Sequence, residues 1–142
     1  MKKIKSLNNR TVVITGASSG AGRAMALEFA RHQARLVLSA RNETALQELA
    51  DECRELGSMV LIVPADLSDP KAVIGLANDA NIFGEQIDVW VNNAGVLTAG
   101  EFDKVPVEVH AQVIQTNLMS FLFWCTRGDS VFQKAGSGYH HQ

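Results

Sequence analysis

The sequence predicts an open α/β fold built on a parallel sheet. Short β-branched apolar runs alternate with segments of helical periodicity, the connections are short, and no hairpin signal joins any two strands. Such alternation calls for right-handed βαβ crossovers, which lay helices on both faces of the sheet. At 142 residues the chain is one domain by length, residues 1–142. A domain of that size buries roughly 68–70% of its unfolded surface. No internal repeat, low-complexity tract or linker divides it.

The elements follow in order. TVVIT (11–15) ends at a glycine cluster and suits a strand buried on both faces. From Gly20 to about His32, Ala21, Ala24, Met25, Leu27 and Ala30 recur at helical spacing. RLVLSA (35–40) is a second strand. Asn42 is placed to cap a helix with the apolar face Ala45, Leu46, Leu49, Cys53 and Leu56, and Gly57 ends it. MVLIV (59–63) reads as a third buried strand, broken by Pro64. Asp69 and Pro70 form an N-cap and first-turn pair, opening a helix through Val73, Leu76 and Ala77. IDVWV (87–91) is a fourth strand, closed by NNAG. Pro106 starts a long helical pattern through Val109, Val113, Ile114, Asn117, Leu118 and Phe121.

Composition removes several function classes. Apolar content of 46% and charged content of 20% are those of an ordered globular domain. The net charge is −2 and no stripe of Lys or Arg stands out, so no nucleic-acid partner is expected. The basic start, MKKIKSLNNR, leads into no apolar run and is not expected to act as a signal peptide. The densest apolar stretch, LMSFLFWC (118–125), is too short to span a bilayer, so no membrane partner is expected. Cys53 and Cys125 lie far apart, without metal or redox spacing, which implies a reduced, cytoplasmic setting. Cys53 reads as a small core hydrophobe. No metal site is expected: His140 and His141 have no carboxylate or thiolate partner nearby, and His32 and His110 are ordinary helix residues. RGDS (127–130) is a chance tetrapeptide in this context.

The chemistry concentrates where the first strand runs through TGASSGAG (15–22) into a helix. Glycines let a ligand approach the main chain, and the free N–H groups and dipole of a helix's first turn favour a pyrophosphate. Ser18 and Ser19 add hydroxyl donors. The spacing G-x-x-x-G-x-G is neither the G-x-G-x-x-G fingerprint nor a P-loop, because no Lys follows Gly22.

Here the sequence resembles the short-chain dehydrogenase/reductase family, whose glycine motif is TGxxxGxG. Thr15, Gly16, Gly20 and Gly22 match it, with Ala21 where the family usually has Ile or Leu. NNAG (92–95) after the fourth strand and Asp66 in PADLSD after the third match in order and spacing. The resemblance covers about residues 10 to 126 and implies a Rossmann-like doubly wound parallel sheet, here four strands in the order 3-2-1-4. It implies further that Asp66, with Leu67 beside it, holds the adenine, and that Asn93, Ala94 and Gly95 line the adenine-ribose side. Asn92 would help tie the central strands or contact the cofactor. Asn117 matches the helix asparagine of the catalytic tetrad, which supports a water relay, and it is equally readable as a buried structural amide.

In dinucleotide folds an acidic residue about 20 positions past the glycines takes the ribose 2′-hydroxyl, whereas an Arg accommodates a 2′-phosphate. The second strand here ends Ser39-Ala40-Arg41-Asn42, with no acid. A guanidinium matches phosphate oxygens and stacks on adenine, so Arg41 and Asn42 point to NADP(H) over NAD(H).

In the family, hydride passes between nicotinamide and a carbonyl or alcohol carbon. A Tyr moves the proton, a Ser polarises the oxygen, and a Lys four residues after the Tyr lowers its pKa from about 10. Tyr139 is the only tyrosine, three residues follow it, and Ser137 lies too close to reproduce the Ser-to-Tyr spacing. Tyr139 is therefore not read as catalytic, and the chain is expected to be the cofactor-binding portion, incomplete at its C-terminus. A missing fifth strand would leave IDVWV as an apolar edge. The face Leu118–Trp124, which the resemblance places at a helical dimer interface, would be exposed, so a homo-oligomer or an aggregation-prone chain is expected. Three functions remain open: an NADP(H)-dependent oxidoreductase, a nucleotide-binding remnant without turnover, and an interaction module using the sheet edge and long helix. The substrate-facing loop 96–105, VLTAGEFDKV, names no ligand.

Overall fold

The computed structural model describes residues 6–95 and 104–119. Its sheet is built from β1 (Thr11–Thr15), β2 (Arg35–Ala40), β3 (Val60–Pro64) and β4 (Val89–Val91). The strands are parallel and run in the order β3-β2-β1-β4. Between them lie α1 (Gly20–Arg31), α2 (Glu43–Glu55) and α3 (Pro70–Gly84). After β4 come α4 (Val107–Ile114) and a π-helical turn, Gln115–Met119.

Period-two alternation sends successive strand residues to opposite faces. On one face Val12, Ile14, Leu36 and Leu38 pack with Ala26, Ala30, Leu46, Leu49 and Cys53 of α1 and α2. On the other, Val13 and Val37 pack with Val73, Leu76 and Ala80 of α3, joined by Leu67 and Ile87. Burial disfavours the charged form of the Cys53 thiol and pushes its pKa up to about 11.

The helix starts follow the expected local chemistry at two places. The Asn42 side chain accepts from the Ala45 N–H at 3.0 Å, and Asp69 accepts from the Lys71 N–H at 2.9 Å, with Pro70 in the first turn. Gly57, just past α2, has φ +95°, the left-handed stop that a glycine accommodates.

Three expectations need correction. β3 is half-buried rather than buried, because it is an edge strand with β2 on one side only. Its span shifts by one residue: Met59 is 58% exposed, and Pro64 ends the strand in register with Ala40. A proline is tolerated at an edge because its missing N–H breaks no interior ladder. The fourth strand shortens to three residues, although Ile87 is still in the core. Leu56 is 39% exposed, since α2 ends at Glu55 and leaves it on the cap. The helical pattern from Pro106 holds through Met119. Phe121, Cys125, RGDS, Tyr139, His140 and His141 lie outside the described residues, as does most of the loop 96–105. Among the described residues no helix is long and apolar enough to cross a membrane, and no group of three His, Cys, Asp or Glu is placed to hold a metal.

Candidate functional site

At the carboxyl ends of the strands lies a cleft of about 630 Å³. The β1–α1 turn contributes Gly16, Ser18 and Ser19, and the end of β2 contributes Ala40, Arg41 and Asn42. The stretch after β3 adds Ala65 to Ser68, the stretch after β4 adds Asn93, Ala94 and Gly95, and Gln112 reaches in from α4. β1 has β2 on one side and β4 on the other, so the strand order reverses direction beside β1, and a crevice at the strand ends there is the usual ligand position in open α/β sheets.

The three glycines do different jobs. Gly16 has φ +63°, and a Cβ there would lie 2.8 Å from the Ala94 Cα and 2.9 Å from its N. It lets the β1 turn touch the β4 turn. Gly20 has φ +54° with nothing within 4 Å of its would-be Cβ, so the space outside the start of α1 is open. A Cβ on Gly22 would strike the Gly16 carbonyl oxygen and the Asn93 amide. That glycine seats the helix against the turn.

Thr15 and Asn93 lock this arrangement from behind. The Thr15 hydroxyl accepts from the N–H groups of Asn93 and Ala94, both at 2.9 Å, and donates to the Val91 carbonyl at 3.1 Å. The Asn93 Nδ2 donates to the Gly16 carbonyl at 3.0 Å. Thr15 is 2% exposed with its oxygen fully engaged, so it shapes the site without facing it. The cross-strand tie expected of Asn92 belongs to Asn93; the Asn92 side chain instead accepts from the Trp90 indole at 2.9 Å.

The start of α1 is suited to an anion. Ser19 occupies the cap position and makes no side-chain capping bond, unlike Asn42 and Asp69. The first-turn N–H groups at Gly20, Ala21 and Gly22 therefore keep their donor capacity, with the helix dipole behind them. With Ser18 and Ser19 lining the same cleft, this donor set fits a pyrophosphate.

Among the described residues, Arg41 and Asp66 are the two charged ones that line the cleft. Asp66 accepts from the Ser68 hydroxyl at 2.8 Å and the Ser68 N–H at 3.0 Å. These bonds hold its carboxyl below the usual range, and the Arg41 charge adds to the effect. Leu67, 6% exposed, gives the wall beside Asp66 an apolar surface. Asn42 lines the cleft while capping α2. Asn117 lies against the β4 turn: its Oδ1 is 3.0 Å from where a Cβ on Gly95 would stand. Gln112 and Ser68 are lining residues that sequence reasoning missed. Ser68 had a signal in its spacing two after Asp66, that of a local turn; Gln112 had none beyond polarity on a helix read for its apolar positions.

Fold and cleft together define a Rossmann-like α/β domain with a phosphate-compatible turn at its first crossover. The family model described as short chain dehydrogenase matches residues 10–138, and the chain belongs to that family. The chain is 42% identical over 123 residues to the uncharacterized oxidoreductase YxnA of Bacillus subtilis (strain 168), covering 86% of this chain and 33% of that protein. The crystal structure of a short-chain type dehydrogenase/reductase from Mycobacterium marinum superposes with a TM-score of 0.86 at 28% identity, covering 92% of this chain and 53% of that one. A 7α-hydroxysteroid dehydrogenase complexed with NADH and 7-oxo glycochenodeoxycholic acid superposes with a TM-score of 0.85 at 28% identity, covering 92% and 51%. The chain thus spans about a third of the curated relative and about half of the solved chains it matches.

Proposed function

We propose that this chain is the dinucleotide-binding part of an NADP(H)-dependent oxidoreductase of the short-chain type, acting on a small carbonyl or alcohol substrate in the cytoplasm. The observation that carries the reading is the pairing, in one cleft, of an uncapped helix start with Arg41 at the end of β2. The α1 amides and the Ser18 and Ser19 hydroxyls bind the pyrophosphate, and Thr15, Gly16 and Gly22 hold the turn that presents them. Arg41, with Asn42 beside it, takes the 2′-phosphate. Asp66 and Leu67 receive the adenine, and Asn93, Ala94 and Gly95 take the ribose side. Asn117, next to Gly95, orients water towards the reacting end. Bound nicotinamide supplies or accepts the hydride.

The choice of NADP(H) rests on Arg41, since a solved relative of similar likeness holds NADH. Arg41→Ala removes charge-assisted hydrogen bonds worth about 1.5–3 kcal/mol to a phosphate. NADPH affinity, measured by fluorescence titration, is expected to fall about 10- to 100-fold while NADH affinity changes little. Equal losses for the two cofactors defeat the assignment.

Self-association belongs to the same reading. Val107, Ile114 and Leu118 are 72%, 60% and 48% exposed and share one stripe of the helical pattern, seven and four residues apart. That stripe supports a helix-to-helix contact between copies of the chain.

A further inference from the structure

Arg41 and Asp66 leave the sheet side by side. The strands that carry them are neighbours, with Ala40 in register with Pro64, and the Ala65 N–H donates to the Ala40 carbonyl at 3.0 Å. Each charged residue follows its strand end by one or two positions, and both line the same cleft. The Asp66 Oδ1 accepts both bonds from Ser68, which anchor the carboxylate at the rim. Among the described residues no ion pair joins it to Arg41. The Arg41 charge nevertheless helps to keep Asp66 ionised.

We propose that Asp66 is a second determinant of cofactor choice, acting against Arg41: its fixed negative charge opposes a 2′-phosphate at the rim and limits the preference for the phosphorylated cofactor. The inference rests on the dinucleotide reading given under Proposed function. A 2′-phosphate brought to Arg41 enters the cleft that this carboxylate also lines, and like charges at a solvated rim repel weakly but measurably. Any contact of Asp66 with the adenine is common to NADH and NADPH and cancels in the ratio of their affinities. Repulsion of the 2′-phosphate does not cancel, because only one cofactor carries it.

The test uses the full 142-residue chain and measures Kd for NADPH and for NADH by fluorescence titration at low salt. Asp66→Asn removes the charge and keeps an oxygen to accept from Ser68, so the turn survives. Asp66→Ser provides a second neutral variant able to close a local turn. In both, the ratio Kd(NADH)/Kd(NADPH) is expected to rise about two- to fivefold, the range of an exposed charge interaction. Asp66→Glu is expected to return the ratio towards the wild-type value. The gain in the neutral variants is expected to fade in about 1 M salt, where the screening length is roughly 3 Å. A ratio unchanged or lowered in both neutral variants, with both cofactors still bound, overturns the role of Asp66 and leaves the dinucleotide reading standing. If the wild-type chain binds neither cofactor, the dinucleotide reading fails and takes this inference with it.

Discussion

Replacing Gly16 and Gly20 separately by alanine tests the division of labour in the glycine turn. Both glycines have positive φ, +63° and +54°, so either alanine carries left-handed backbone strain of about 1–2 kcal/mol. Only at position 16 does the new methyl also meet backbone, at 2.8 Å from the Ala94 Cα and 2.9 Å from its N. Relieving that contact pushes the β4 turn away from the Thr15 hydroxyl, and overpacking of this kind costs a further 1–3 kcal/mol or so. Gly16→Ala is therefore expected to lose about 2–5 kcal/mol of stability, a large share of the roughly 5–15 kcal/mol typical of a domain. Gly20→Ala is expected to lose only about 1–2 kcal/mol, because nothing lies within 4 Å of the added methyl. Its methyl instead occupies the open space before α1, so NADPH affinity should fall at least tenfold. Urea unfolding followed by tryptophan fluorescence gives the stabilities, and NADPH titration of each folded variant gives the affinities. A Gly16→Ala protein as stable as Gly20→Ala, or a Gly20→Ala protein that binds NADPH like wild type, refutes the reasoning.

Thr15→Val leaves the Ala94 N–H without its acceptor, while the Asn93 N–H keeps the Val91 carbonyl at 3.1 Å; a thermal melt should show a loss of about 1–3 kcal/mol, the cost of one unsatisfied group, largely restored by Thr15→Ser. Cys53, with its thiol raised from 9.0 to about 11, favours folding fully below pH 9. That contribution is lost as pH rises towards 11, because the unfolded thiol ionises first. Cys53→Ala should flatten the alkaline fall in stability. Alkylation of Cys53 in the native protein at pH 8, read by peptide mass mapping, should be slow, and rapid labelling contradicts its burial.

The strand–helix alternation was legible because each element carries its own period and its own stop. Asn42, Asp69-Pro70 and Gly57 act through neighbours only a few residues away, so sequence alone locates them. The edges were less legible: MVLIV has the apolar run of a buried strand, yet its half-burial depends on which strand it neighbours. The two adjacent asparagines 92 and 93 are indistinguishable by type. Only the register of β4 against β1 turns Asn93 towards the Gly16 carbonyl and leaves Asn92 with Trp90. Thr15 was recognised as part of the motif, but its work as a buried tie between two turns depends on contacts 76 to 79 residues away in sequence. Gln112 lines the cleft through the tertiary placement of α4, and no local pattern encodes that.

The most direct measurement is an amide NMR titration of the isotopically labelled chain with NADPH. The account predicts saturable shifts at Gly20, Ala21 and Gly22, at Arg41 and around Asp66 and Asn93. Titration with NADH should perturb the first group alike and Arg41 much less. Saturating NADPH that leaves the amides of 20–22 unmoved contradicts the account, whatever else in the chain responds.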